Sequence, residues 1–194
     1  MKTISIRKTL IVLVFLGILP LLGAEDKRTI PLDMYLIIDA SSAMEELRDE
    51  VTAWLDEQVV DRFLMDGDRI TIWAAGDNAQ VIHSAALSGA DGKQEIKNRF
   101  RSLVADGQTA DFSGAMREAA ARSAQTAQDR GRLSHTMLIT ASARSLEPAL
   151  TGSDRELFRW SRSEWHSRWQ VLVAAPNIGG RVRQAAIAYM NSQR

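Results

Sequence analysis

Residues Tyr35 to Met44, with the sequence YLIIDASSAM, decide the fold class of this chain. An apolar run leads directly to the carboxylate of Asp39, and hydroxyl groups follow at Ser41 and Ser42. A short apolar run that ends in polar residues is typical of a strand buried on both faces, although periodicity alone also allows a helix. If the run is a strand, Asp39 stands at its carboxyl end, where open α/β sheets place their ligands. The stretch therefore predicts a central strand and the position of a site.

Helical and strand-like patterns alternate along the rest of the chain. Apolar residues recur at spacings of three and four from Met44 to Phe63, which predicts one amphipathic helix of about twenty residues. Arg69–Ala75 and Gln80–Ala86 are strand-like runs on either side of a polar turn, and they predict a hairpin.

Further strands and helices are predicted in the second half of the chain. The predicted strands are 136–140 and 170–174. The first two predicted helices are a short one through Ile96 and Phe100 and an alanine-rich one that runs to about Gln128 and is capped by Asp111 or Ser113. Two more helices are predicted around 155–165 and from Pro176. Such alternation with short connections predicts an α/β fold with a doubly wound, mostly parallel sheet, one antiparallel edge strand and helices on both faces.

Composition excludes several classes of protein. The chain has 194 residues, of which 45% are apolar and 25% charged, as in an ordinary globular domain. It contains no cysteine, so disulfides, thiolate metal sites and cysteine nucleophiles are excluded. The formal net charge is zero and no long block of one sign occurs, which argues against nucleic acid as a partner.

The first 24 residues have the pattern of an export signal. Lys2, Arg7 and Lys8 precede an apolar run from Leu10 to Leu22, and the small residues Gly23 and Ala24 end the segment. The bulk of Leu22 leaves an uncleaved membrane anchor as the alternative. We therefore expect a signal peptide at 1–24, a single domain at 25–194, and a periplasmic or extracellular location, with membrane attachment only if the signal is not cleaved.

Five pieces of the sequence, taken in order, resemble the von Willebrand factor A-type (VWA) domain family over residues 31 to 191. The pieces are Leu36–Met44, Ile70–Ala86, Gly107–Thr109, Asp111–Met116 and Leu138–Ser142. The resemblance implies a Rossmann-like α/β fold and a role in binding another protein.

Members of that family commonly hold a divalent cation between an aspartate and two serines on a first loop, a threonine on a second and an aspartate on a third. Asp39 and Ser41 match the first loop, and Thr109 fits the threonine, with Ala110 as the alternative register. The resemblance thus implies Asp39, Ser41 and Thr109 as metal ligands, and Mg²⁺, Mn²⁺ or Ca²⁺ as the cofactor, because hard cations prefer oxygen ligands.

Two positions depart from that pattern. Ala43 stands where the second serine would be, and Ala141 stands where the last aspartate would be. One certain carboxylate neutralises a dication poorly, so we expect a degenerate ion site and no resident cofactor, although Mg²⁺ is often held by one or two carboxylates plus waters. The alternative use of Asp39 and Ser41 is to cap the helix that follows.

The segment from Arg155 to Trp169 interleaves arginines with aromatic residues. Tryptophan and arginine are the residue types enriched in binding hot spots, which makes Arg159, Trp160, Arg162 and Trp165 candidate partner-binding residues. The alternative is an amphipathic helix that packs its aromatic residues on the sheet.

These observations predict an exported, VWA-like protein-binding module of the cell envelope that works without metal and is not an enzyme. One alternative is a cation-dependent adhesion module that uses Asp39, Ser41 and Thr109. A hydrolase or transferase is the second alternative, and it is disfavoured because the sequence pairs no base with Asp39.

Overall fold

A computed structural model describes residues 29–126, 131–142 and 169–173 of the chain. They form a five-stranded sheet in the order β3-β2-β1-β4-β5. The strands are β1 (Leu32–Asp39), β2 (Arg69–Ala75), β3 (Ala79–Ala86), β4 (Leu133–Thr140) and β5 (Trp169–Val173). Strand β1 lies parallel to β2 and β4, β5 lies parallel to β4, and β3 pairs antiparallel with β2. The predicted mostly parallel sheet with one antiparallel edge strand is confirmed.

Strand β1 is buried along its whole length, as the apolar run predicted. Its side chains alternate between two separate hydrophobic clusters because successive residues of a strand point to opposite faces. Leu36 and Ile38 belong to one cluster, whereas Tyr35 and Ile37 belong to the other. Both faces of the sheet are therefore covered, which identifies β1 as the central strand.

The single helix predicted after β1 is wound in three different ways. A 3₁₀-helix (Ser42–Leu47) leads into α1 (Arg48–Trp54), and a π-helix (Leu55–Asp61) follows. The wide final turns end where the N–H of Leu64 donates to the carbonyl of Val59 at 2.9 Å, five residues back. Met44, Val51 and Val59 are buried in the cluster that contains Leu36, so the predicted apolar stripe is confirmed, whereas the change of winding along it was not predicted.

Two further helices lie on opposite faces of the sheet. Helix α2 (Gly89–Arg101) contributes Ile96 and Phe100 to the cluster that contains Leu36, and α3 (Phe112–Thr126) packs on the face of Tyr35. Of the two residues predicted to cap α3, Asp111 is the one that does so, because its Oδ1 accepts the N–H of Gly114 at 2.8 Å.

At the amino end of the sheet, Arg132 holds three segments together. Its Nε donates to Asp33 Oδ1 at 2.7 Å, and its Nη2 donates to the carbonyls of Leu32 at 2.8 Å and Gly67 at 3.0 Å. Arg69 also lies 3.9 Å from the Asp33 carboxylate. The start of β1 is therefore fixed to β4 and to the turn before β2 by a buried ion pair.

Several predictions fall outside the described residues. They are the signal peptide at 1–24, the helix around 155–165, the final helix from Pro176, and the last residues of the alanine-rich helix. Within the described ranges, no helix has the length and apolar character needed to cross a membrane.

Candidate functional site

Three loops meet at the carboxyl end of the central strands, namely the segments after Asp39, around Gly107 and after Thr140. Ser41 pairs with Gly107 in a parallel bridge, the N–H of Ser42 donates to the Gly107 carbonyl at 2.8 Å, and the N–H of Gly107 donates to the Ala40 carbonyl at 3.1 Å. The third loop joins through Thr140, whose hydroxyl donates to Asp39 Oδ2 at 2.8 Å. The candidate site is thus assembled around Asp39.

The carboxylate of Asp39 is fully buried and accepts four hydrogen bonds. Oδ1 accepts the N–H of Ser41 at 2.9 Å and the Ser41 hydroxyl at 2.6 Å. Oδ2 accepts the Thr140 hydroxyl at 2.8 Å and the N–H of Ala141 at 3.3 Å. All four donors are neutral, so within the described residues the desolvated carboxylate is compensated by local dipoles.

Ser41 does not use its side chain to cap the following helix, which corrects the alternative interpretation of this pair. It occupies the N-cap position of the 3₁₀-helix, yet its side chain makes no capping hydrogen bond. The hydroxyl proton goes instead to Asp39, because a hydrogen bond to an ionised acceptor is stronger than one between neutral groups. Asp39 and Ser41 therefore form one unit, and that unit organises the loop.

Thr109 lies on the second loop of this edge but is bound to a different carboxylate. Its N–H and its hydroxyl donate to Asp77 Oδ1 at 2.9 Å and 3.1 Å. The backbone hydrogen bond from Thr109 lowers the pKa of the Asp77 carboxyl from its ordinary value, and the hydroxyl bond adds to that shift. The structure therefore brings Asp39 and Ser41 together and ties Thr109 to the hairpin turn.

Two residues of this network were not predicted from the sequence, Asp77 and Thr140. Asp77 sits in a polar turn that the sequence marks only as a hairpin connection, and Thr140 ends β4 as an ordinary strand residue. Strand direction predicts that the loop beginning at Thr140 lies at the same edge as Asp39, but the bond between the two side chains, 101 residues apart, was not predicted. A search for hydroxyl residues at strand ends would have found Thr140.

The described residues at this edge do not fit the divalent cation that the VWA resemblance implies. Both oxygens of Asp39 are already engaged by protein donors, and the hydroxyl of Ser41 is committed to that same carboxylate. Ala43 and Ala141 have no side-chain oxygen to offer in exchange. Throughout the part of the chain that the structure describes, no group of three or more His, Asp or Glu side chains is placed to hold a metal ion.

The second predicted site cannot be placed on the fold. Arg159, Trp160, Arg162 and Trp165 all lie outside the described residues, so their role in partner binding stays a prediction.

Comparison with solved structures decides which fold this is. A von Willebrand factor type A protein from Catenulispora acidiphila is similar with a TM-score of 0.59 and 15% identity, over 83% of this chain and 43% of that one. Manganese-loaded TRAP protein from Plasmodium vivax is similar with a TM-score of 0.59 and 16% identity, over 81% of this chain and 62% of that one. The fold is that of a von Willebrand factor A-type domain.

A third structure extends the VWA-type comparison. Proximal thread matrix protein 1 from the mussel byssus is similar with a TM-score of 0.54 and 15% identity, over 74% of this chain and 37% of that one. The chain thus spans less than two thirds of each of these three proteins. No protein-family model matches the sequence, and no curated protein matches it either. At such low identity the comparisons establish the VWA-type fold and nothing finer.

Proposed function

We propose that this chain is an exported protein-binding module of the cell envelope, which binds its partner without a divalent cation and has no catalytic activity. The observation that carries the proposal is the Asp39 carboxylate, buried at the ligand edge of a VWA-type fold and bonded to four neutral donors. A carboxylate so arranged holds loops in place. The partner then has to be recognised by the surface around it.

The geometry supports binding without metal in a further way. A cation at Asp39 would have to displace hydrogen bonds from a carboxylate that has no contact with solvent. Neither Ala43 nor Ala141 has a side-chain oxygen that could replace those hydrogen bonds with a bond to the cation. Hard cations need six or more oxygen ligands in all.

The same geometry supports a protein that is not an enzyme. An acid, base or nucleophile has to reach the reacting atom within hydrogen-bond distance. Asp39 is buried, and both of its oxygens face groups of the protein itself. The export part of the proposal is supported by the sequence, through the basic residues Lys2, Arg7 and Lys8 and the apolar run from Leu10 to Leu22.

Thermal melting with and without Mg²⁺, Mn²⁺ and Ca²⁺ tests the metal-independent part. A cation present at 100 times its Kd would stabilise the folded chain by about 2.7 kcal/mol. We expect millimolar cation to leave the melting temperature of the wild type unchanged. A rise in melting temperature that the Asp39→Ala variant lacks would contradict the proposal.

A matched control restores the side chains that the VWA resemblance implies. The double variant Ala43→Ser with Ala141→Asp adds one hydroxyl and one carboxylate beside Asp39. We expect this variant to gain cation-dependent stabilisation, because it offers a hard cation the missing oxygens and charge. The control shows that the assay detects a site of this kind when the ligands are present.

Binding to a protein partner is tested by affinity capture from the native envelope in the presence of EDTA. We expect the same partner with EDTA and with added Mg²⁺. The Trp165→Ala variant tests the predicted contact segment, and capture that it leaves unchanged would count against that segment.

A further inference from the structure

A groove of about 530 Å³ opens at the carboxyl end of the sheet, between the β2–β3 turn and the segment that follows α2. This volume lies within the range of sites that hold small ligands or single side chains. The groove borders the Asp39 loop through Ala40, but Asp39 itself does not line it. It lies beside the ion site that the VWA resemblance implies, and none of the implied ligands Asp39, Ser41 and Thr109 lines it.

Small residues create the floor of the groove. Ala40, Ala74 and Gly107 lie along it, and Leu103 and Ile82 add apolar surface. Larger side chains at these positions would fill the space. At Gly107 even a single Cβ atom would lie only 3.0 Å from Gly76 Cα, because the two loops approach so closely there.

The walls of the groove carry a net negative charge. Asp77 and Asp106 both line it, the first from the β2–β3 turn and the second from the segment after α2, and Arg99 is the cation among the described lining residues. The guanidinium of Arg99 lies 3.6 Å from Glu95, which offsets its charge. Helix α2 also ends at this groove, so the negative end of its dipole adds to the field.

The two carboxylates differ in how they are held. Asp77 is fixed by Thr109, whose N–H and hydroxyl donate to its Oδ1 at 2.9 Å and 3.1 Å. Among the described residues, none forms a hydrogen bond or an ion pair with Asp106. Asp77 thus offers a positioned charge, and Asp106 offers a charge that no described residue pairs.

We propose that this groove receives a lysine or arginine side chain of the partner protein. The inference rests on the proposed function, and it names the chemistry of the contact. The aliphatic stem of such a side chain packs on the apolar floor, while its cationic head lies between Asp77 and Asp106. Val104, the most exposed of the large apolar residues described at 62% exposure, extends the apolar contact at the rim.

Backbone amide NMR of the full chain, titrated with capped tripeptides, tests the proposal. The probes are acetyl-Ala-Arg-Ala-amide and the same peptide with lysine. Citrulline, a neutral isostere of arginine, and glutamate replace the central residue in two control peptides. We expect the two basic peptides to shift the signals of Gly76, Asn78 and Val104, and the control peptides to leave them in place. Shifts confined to another surface, or equal binding of the citrulline peptide, would overturn the proposal.

Charge variants make the test specific. Asp106→Asn should weaken binding of the arginine peptide about fivefold, since a charge-assisted hydrogen bond is lost. Arg99→Gln should tighten binding about twofold, since a like charge is removed. The matched control is Asp49→Asn, which removes the same charge from a side chain that is 95% exposed and lies outside the groove. Equal weakening by Asp106→Asn and Asp49→Asn would overturn the proposal.

The outcome also separates this inference from the proposed function. Partner capture that persists in EDTA but is unaffected by Asp106→Asn would overturn the proposed lysine or arginine contact in the groove. It would leave the proposal of a metal-independent binding module intact. If capture requires a divalent cation while the arginine peptide still shifts the NMR signals of the groove residues, the metal-independent module is overturned. The proposed contact in the groove is then left intact.

Discussion

The two ends of β1 each bury an aspartate, and the two are compensated in different ways. Asp33, at the amino end, is 4% exposed and bonds to the guanidinium of Arg132, with Arg69 also nearby. Asp39, at the carboxyl end, is 0% exposed and accepts four neutral hydrogen bonds. Among the described residues, Asp33 is balanced by opposite charge and Asp39 by dipoles.

The two ends of the sheet differ in which parts of the protein satisfy the buried carboxylate. At the amino end, the guanidinium of Arg132 reaches Asp33 and two backbone carbonyls, so charge and geometry are both satisfied within the protein. At the carboxyl end, the dipoles that stabilise Asp39 come from the loops that form the ligand edge. Asp39 therefore fixes the shape of those loops, which border the groove of the proposed contact.

Replacing Asp33 with alanine gives the largest expected effect. The change leaves the largely buried guanidinium of Arg132 without its counterion, and breaking a buried ion pair in this way costs about 3–5 kcal/mol. Urea denaturation measures the loss. The double variant Asp33→Ala with Arg132→Met is the control and should recover part of it; a double variant as unstable as the single one would show that charge is not the cause.

Replacing Asp39 with alanine should cost less, about 2–4 kcal/mol, because neutral donors are left without an acceptor and no charge is stranded. The same denaturation experiment measures it. Thr140→Val removes one of the donors to Asp39 and also the acceptor of the Ser142 N–H, and it should cost about 1–2 kcal/mol. The comparison would fail if Asp39→Ala proved more destabilising than Asp33→Ala, since neutral compensation would then be the stronger of the two.

The smallest effect is expected at Asp77, an exposed carboxylate at the same edge as Asp39. The hydrogen bonds from Thr109 lower its pKa in the folded chain, so its contribution to stability is fully present above the ordinary value of 3.8. That contribution is lost as the pH falls through the folded-state pKa. We expect Asp77→Asn to melt below the wild type at about pH 6 and the difference to shrink in acid.

Thermal melting from about pH 6 down through the folded-state pKa measures the difference in melting temperature between Asp77→Asn and the wild type. Thr109→Val is the control. This variant keeps the backbone donor to Asp77 and loses only the hydroxyl, so it should show a smaller difference than Asp77→Asn. A difference between Asp77→Asn and wild type that grows as the pH falls would have the wrong sign and would exclude this account.

Sequence patterns predicted the framework of the fold with good accuracy. The apolar run before Asp39 indicated a strand with two buried faces, and the polar turn after Ala75 indicated the antiparallel hairpin. The boundaries of β2 were predicted to the residue, and β3 begins one residue earlier than predicted. The winding of the helical stretch after β1 was not predicted, because uneven apolar spacing fits several turn widths when the packing partner is unknown.

The amino-acid sequence by itself determined which segments are strands and helices, and which edge of the sheet carries Asp39, because periodicity and strand direction are local properties. Only the tertiary structure decided what Asp39, Thr109 and Asp33 bind. Their partners Thr140, Asp77 and Arg132 lie 101, 32 and 99 residues away along the chain. A hydrogen bond depends on atoms placed within a few tenths of an ångström, and such placement comes from packing of the whole sheet.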